Sequence, residues 1–362
     1  MSLPATILLL ATAALSGQSN FAQLSAAASA AREANELTQA ATLYRQALEA
    51  NPKWPEGWWS LGSVLYDLNR YPEAIAALRK FTGLSPGDAT GVGLLGLCEF
   101  ETADYQSSLK DISHSLEIGL PGQDQMEGVL RYHEALALAH EGEFDAALRR
   151  YAWFVAKGVH HSVMLTALGL AALHDSRFAD ALPEDQRAVF LAAGNASYLS
   201  MTGAPGALDA FRQLANQYPK TPFVHFVYGQ LLIPVDHIAA MAEMQREMEI
   251  NPISGEVCAT LSWLLMEDDD FPDAIPLAER ALRLSPNFPL SSYVHGRAMV
   301  QNGDLKAGIE HLEFAVKNAP ANLVSHIALA AAYARAGRSD DARRERSVSL
   351  QLAHEELAAS RR

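Results

Sequence analysis

The chain has 362 residues, 49% of them apolar, with 28 Lys and Arg against 42 Asp and Glu, a formal charge of -14. That balance argues against nucleic acid, whose phosphates need a basic footprint, and against an anionic membrane surface. The apolar content is weighted towards Ala and Leu, which are strong helix formers, and long β-branched runs are missing. The composition therefore points to an all-α protein.

Residues 1–22 stand apart. Leu3 to Leu15 is almost wholly apolar, and no charged side chain occurs before Arg32. A spanning helix needs about 20 apolar residues, so this shorter run suits the hydrophobic region of a secretory signal, with cleavage after Ser16 or after Ala22. The expectation is an exported bacterial protein, periplasmic or secreted, with no direct membrane span once the signal is removed. No Cys follows the apolar run, which excludes a lipoprotein type of anchor. The two cysteines, Cys98 and Cys258, lie 160 residues apart on first helices of different repeats. They read as small buried hydrophobes rather than a disulfide pair.

From Phe21 onward the chain repeats. Ala40, Tyr44, Ala47 and Pro52 are followed, from Pro55, by Trp58, Leu61, Gly62, Leu65, Tyr71, Ala74, Leu78, Phe81 and Pro86, so that the two prolines are 34 residues apart. A third unit begins near Ala89 with Gly96, Tyr105 and Ile112, and ends at Pro121. After a polar insertion at 122–127, a fourth carries Ala135, Leu138, Phe144, Ala147 and Tyr151. The fifth opens at Leu165, Leu168 and Gly169, then meets Pro183 where its second helix should be running. An interior proline costs a helix about 3 kcal/mol. Ser162 to Pro219 spans 58 residues where two full copies would take 66. A shortened or restarted helix is expected there, with a seam between two sub-arrays at 23–187 and 188–362. The pattern recovers through Phe211, Pro219, Tyr228, Gly229, Met244 and Pro252. It is clearest in Gly255–Asn322, where Leu265 falls over Met299, Phe271 over Leu305, Ala281 over Ala315 and Pro286 over Pro320. The last copy, from Leu323, ends in a polar second helix suited to a terminal cap facing water.

A fixed period of this length marks stacked repeats. The stripe Trp58, Leu61, Gly62, Leu65 gives one face of a first helix; the small residue lets the second helix approach, and the proline ends each unit. One hairpin cannot cover its own apolar face, so neighbours must stack. The pattern resembles the tetratricopeptide repeat (TPR), in roughly ten copies over 21–356 with the fifth and sixth irregular. The stretches YPKTPFVHFVYGQLL and AYARAGRSDDARRER are similar to secreted bacterial members of that family.

The resemblance implies a right-handed superhelical solenoid of helix hairpins, an irregular middle near Pro183, and a concave groove lined by the first (A) helices. Carried over position by position, the groove residues are Trp59, Tyr66, Phe100, Tyr132, His133, His140, Phe223, Phe226, Gln230, Trp263, Tyr293, Arg297 and Arg335, with Ser63, Leu97, Thr166, His174 and Met266 among further positions. Aromatic anchors with a few donors suit a peptide or protein segment. The same positions also pack against neighbouring repeats. The Lys, Asn and Arg clamp with which one subfamily holds carboxylate termini is replaced here by Trp59, Ser63, Gly93 and Leu97.

No catalytic pattern competes with this reading. His133-Glu134 begins like a zinc-protease motif but lacks the second His, and Glu267–Asp270 lacks the alternating spacing of a calcium loop. Gly91-Val92-Gly93 and Gly96 spell a phosphate-loop pattern without a preceding strand. The expected function is a non-catalytic scaffold for an unknown protein or peptide partner, with no cofactor, no metal and no nucleic acid. An alternative is an accessory of envelope assembly or polysaccharide export at the outer membrane.

Overall fold

The computed structural model describes residues 20–359, and within them the chain is all-α, with no strand. The expected signal lies almost wholly outside this range. Helix α1 covers residues 20–33 and α2 covers Leu37–Ala50. Three hairpins and a single further helix follow: α3 (Pro55–Asp67), α4 (Tyr71–Leu84), α5 (Ala89–Glu101), α6 (Tyr105–Ile118), α7 (Asp124–His140), α8 (Phe144–Ala156) and α9 (Ser162–Ala172). A single 3-10 turn at Ala179–Ala181 precedes α10 (Glu184–Met201) and α11 (Ala207–Gln217). The rest is α12 (Val224–Leu232), α13 (His237–Ile250), α14 (Gly255–Glu267), α15 (Phe271–Leu284), α16 (Pro289–Gln301), α17 (Leu305–Asn318), α18 (Leu323–Arg335) and α19 (Ser339–Ala359).

The expected period is visible in the backbone. Thirteen-residue A helices (α3, α5, α14, α16) alternate with fourteen-residue B helices (α4, α6, α15, α17). Every A helix but α12 is followed by a residue in the left-handed region, as is α10: Asn35 (φ 61°), Asn69 (54°), Ala103 (59°), Gly142 (82°), His174 (52°), Gly203 (65°), Asp269 (61°), Gly303 (88°) and Gly337 (76°). Such a residue closes a helix and reverses the chain. Glycine occupies four of the nine places and Asn or Asp three more, the types that adopt this backbone most cheaply.

A second recurring link ties three of the repeats to their predecessors. The Trp58 indole N–H donates to the Pro52 carbonyl at 2.9 Å. At the same step of six residues, His225 Nε2–H donates to Pro219 at 3.1 Å and His326 Nε2–H to Pro320 at 3.0 Å. A carbonyl only accepts, so the ring nitrogen carries the hydrogen in both histidines. Their Nδ1 atoms face Glu243 at 2.5 Å and Glu345 at 2.6 Å on the following B helix.

The contacts divide the described chain into two compact units, with the division falling after Gly194, inside α10, where the sequence pattern placed it after residue 187. In each unit an A helix packs on its own B helix and on the next A helix: α3 on α5, α5 on α7 and α7 on α9, and likewise α14 on α16 and α16 on α18. The missing residues around Pro183 are explained by helix number. Between Ser162 and Pro219 there are three helices, α9, α10 and α11, where two repeats would have four. Pro183 does not break a helix; it stands immediately before α10, where its fixed φ is compatible with helix initiation. The first half of α10 occupies the place of the fifth repeat's B helix against α9. A Cβ at Gly169 would stand 1.8 Å from the Phe190 carbonyl oxygen, and one at Gly194 would stand 1.8 Å from the Leu165 carbonyl oxygen. The two helices therefore cross backbone to backbone.

Candidate functional site

The most concentrated cluster of partly exposed aromatic rings in the first unit forms where its A helices end. At the C-terminal end of α5, the left-handed Ala103 swings α6 back so that Tyr105 meets Phe100 edge-on, centroids 5.3 Å apart. One repeat earlier, Tyr66 and Tyr71 make the same pair at 5.7 Å across Asn69, whose Oδ1 accepts from the Tyr71 hydroxyl at 2.7 Å. From α7, the His133 ring meets Phe100 at 4.9 Å and Tyr132 at 5.9 Å, while its Nδ1–H donates to the Val129 carbonyl at 2.8 Å. His140, the last residue of α7, donates Nδ1–H to the Ser176 carbonyl at 3.0 Å, lies 4.5 Å from Tyr105, and stacks on Phe178 at 4.9 Å and 10°. Phe178 completes the group, 5.6 Å from Phe100 and 5.8 Å from Tyr105. All of these rings are half-buried, so each keeps an edge or face open.

Phe178 is the residue that sequence reasoning missed. The fifth repeat's B helix does not start after His174; residues 175–183 run as a bent segment with one 3-10 turn. That segment lays Phe178 across the ends of α5 and α7. The signal was present in Pro183, which delays the helix, but not in Phe178 itself.

The surroundings are acidic. Asp67, Glu101, Glu141 and Asp180 are exposed beside the rings. Burial pushes the Tyr105 phenol above its usual range, and Glu101, Asp180 and Glu141 push it further. Tyr66 is raised by burial first, then by Tyr71, Cys98, Glu101 and Asp67. Tyr132 is raised by burial and by Asp180. The C-terminal ends of α5 and α7 add their own partial negative charge.

Trp59 lies away from this strip. Its ring packs on Phe81 at 5.6 Å and lines an open cavity of about 470 Å³ with Pro55, Glu56, Ser85, Asp88, Thr90 and Gln123.

The second unit holds its expected groove residues differently. Tyr293 and Phe226 are each 3% exposed, so neither ring is open to a partner. Tyr293 sits in the core formed by α14, α16 and α18, because successive A helices cover that position. Met266 is buried too, and so are Ser63, Leu97 and Thr166 in the first unit. Phe226 packs on Phe223 at 5.8 Å, and Phe223 itself is left-handed at φ 66°. That costly backbone is held by Glu247, a fully buried carboxylate that accepts the N–H of Phe223 at 2.6 Å and of Phe226 at 3.2 Å. Arg297 is engaged within the array: it donates to Glu267 at 2.7 Å and to the Tyr293 hydroxyl at 3.2 Å and lies over the Phe271 ring at 5.9 Å. Trp263 is half-exposed, and Gln230 and Arg335 are exposed.

Among the described residues no group of three or more His, Cys, Asp and Glu could hold a metal. Cys98 and Cys258 are buried and free, and burial pushes the Cys98 thiol up to about 12, which makes it a poor nucleophile. No helix among the described residues is long and apolar enough to cross a membrane.

The tetratricopeptide-repeat family model matches residues 25–89, 132–196, 260–320 and 293–345, together more than half of the chain. No curated protein matches. Among solved structures, the chain is similar to MamA 41-end from Desulfovibrio magneticus RS-1, with 19% identity over 46% of this chain and 96% of that one, TM-score 0.38. It is also similar to yeast Tom70, with 12% identity over 94% of both chains, TM-score 0.35. The TPR2AB-domain:pHSP90 complex of yeast Sti1 matches with 13% identity over 93% of this chain and 99% of that one, TM-score 0.32. The regular helix hairpins, the recurring left-handed turn and the matching model agree: the chain is an all-α repeat solenoid that belongs to the tetratricopeptide-repeat family.

Proposed function

We propose that this protein is a non-catalytic scaffold that holds a segment of a partner protein against the aromatic strip at the A-helix ends of its first unit. The observation that carries the reading is the cluster of Phe100, Tyr105, His133, His140 and Phe178, five rings in mutual contact that each remain partly exposed. Buried aromatic anchors dominate the energetics of protein recognition, and a pre-packed set loses little freedom on binding. The fold by itself would serve many roles, so the assignment rests on these residues.

The test is affinity capture from extracts of the native cell, comparing the wild-type chain with Phe100→Ala plus Phe178→Ala, each confirmed folded by circular dichroism. The reading expects a reproducible partner that the double variant loses. A partner recovered equally by both would remove the strip from the account.

Export is part of the same proposal. Phe21 packs edge-on against Trp54 at 5.2 Å, and Ala28 and Ala31 of α1 are buried. Cleavage after Ser16 would preserve the Phe21 contact and cleavage after Ala22 would remove it, which supports the earlier cut. N-terminal sequencing of the mature protein should begin at Gly17; a start at Gln23 would overturn the choice of site, and an uncleaved chain would overturn export by this signal.

A further inference from the structure

We infer that the segment held on the strip is basic, presenting lysine or arginine side chains to the aromatic rings and the carboxylates between them. This rests on the scaffold reading and adds the chemistry of the partner. Glu73 pairs with Arg45 and Arg70, Glu99 with Arg79, Glu127 with Arg131, Glu134 with Arg150 and Asp175 with Arg177. Asp67, Glu101, Glu141 and Asp180, like many exposed acids of this chain, have no ion pair with a lysine or arginine among the described residues, and these four stand together around one aromatic surface. An unpaired carboxylate in water is unremarkable, whereas four around one apolar strip make a surface complementary in charge to a cation.

Two further features act in the same direction. Helix C-termini converge on the strip, Glu101 closing α5 and His140 closing α7, and such ends favour positive charge. Phe100, Tyr105 and Phe178 remain partly exposed, and an aromatic ring attracts an ammonium or guanidinium group by cation–π interaction. His133 and His140 donate from Nδ1 to backbone carbonyls, which leaves Nε2 of each ring as its second polar atom. An acidic segment would meet four carboxylates and no free cation at this place, and a second copy of a chain carrying -14 would be repelled at long range.

The experiment uses the full chain and two short labelled peptides, one alternating leucine with lysine and one alternating leucine with glutamate, followed by fluorescence anisotropy. Three proteins are compared: wild type, the strip variant Glu101→Gln plus Glu141→Gln plus Asp180→Asn, and a control of equal charge change elsewhere, Glu49→Gln plus Glu117→Gln plus Glu310→Gln. The inference expects the lysine peptide to bind and the glutamate peptide not to. The strip variant should weaken binding by about tenfold, from the loss of three exposed pairs, and the control should leave it within about twofold. Equal weakening in both variants would mean that only the net charge attracts the peptide, and would overturn the inference, as would binding of the glutamate peptide or of neither. Should Phe100→Ala plus Phe178→Ala lose the natural partner while the strip variant retains it, the scaffold would stand and the basic partner would fall.

Discussion

Gly169→Ala tests the packing on which the first unit depends. The added Cβ would meet the Phe190 carbonyl oxygen at 1.8 Å, where real contacts stay above 3.0 Å. The obstacle is backbone, so no rotamer change relieves it; α9 and α10 must separate by more than 1 Å. Leu165, Leu168, Phe190 and Ala193, all buried at this crossing, would then face a gap that forfeits a quarter to a half of their dispersion contact. Overpacking costs about 1–3 kcal/mol where side chains can yield and more where they cannot. The gain in helix propensity from Gly to Ala returns only about 1 kcal/mol. The expected net loss is about 3 kcal/mol, which at ordinary denaturant sensitivity moves the urea midpoint by about 1 M. A stacked array can unfold in parts, so the variant should show an early transition of the first unit. Gly62→Ala, whose Cβ would meet the movable Leu78 side chain at 2.6 Å, should lose about half as much. A Gly169→Ala protein with an unchanged midpoint would refute the backbone crossing.

Two further perturbations probe buried acids. Burial raises the Glu99 carboxyl to about 7, with Arg79 only partly offsetting it. The folded state therefore holds a proton that the unfolded chain has released between about pH 4.5 and 7, and stability from this group falls as pH rises through that window, by about 3 kcal/mol in all. Glu99→Gln should flatten this part of the pH–stability profile and be the more stable protein above pH 7; an identical profile would exclude the assignment. Glu247→Ala leaves two backbone N–H groups of α12 without their acceptor and the left-handed Phe223 unsupported. A loss of about 2–4 kcal/mol is expected from chemical denaturation, and a change below about 0.5 kcal/mol would contradict the role given to that carboxylate.

The regular part of the fold was legible because its signals are local. Proline after each B helix, a small residue on each A helix and a turn-forming residue between them follow from backbone sterics, and Pro52 to Pro86 or Gly303 to Gly337 carry them openly. Three features were not legible for three different reasons. The single helix α10 standing in for two arises from eight absent residues, which counting detects but cannot place. Phe178 enters the aromatic strip only because the fifth repeat fails. Tyr293 and Phe226 occupy groove register and are nevertheless covered, because how far one A helix overlaps the next depends on packing between repeats. Arg297 likewise looked like a free donor until Glu267, 30 residues away, proved to hold it.

Whether a partner is seated on the A-helix ends of the first unit can be read by hydrogen exchange of the full chain with and without its captured partner. Slowed exchange should concentrate at 98–106, 137–143 and 174–182, the backbone that carries Phe100, Tyr105, His140 and Phe178. Protection confined instead to the B helices α4, α6 and α8, or to the second unit, would contradict it.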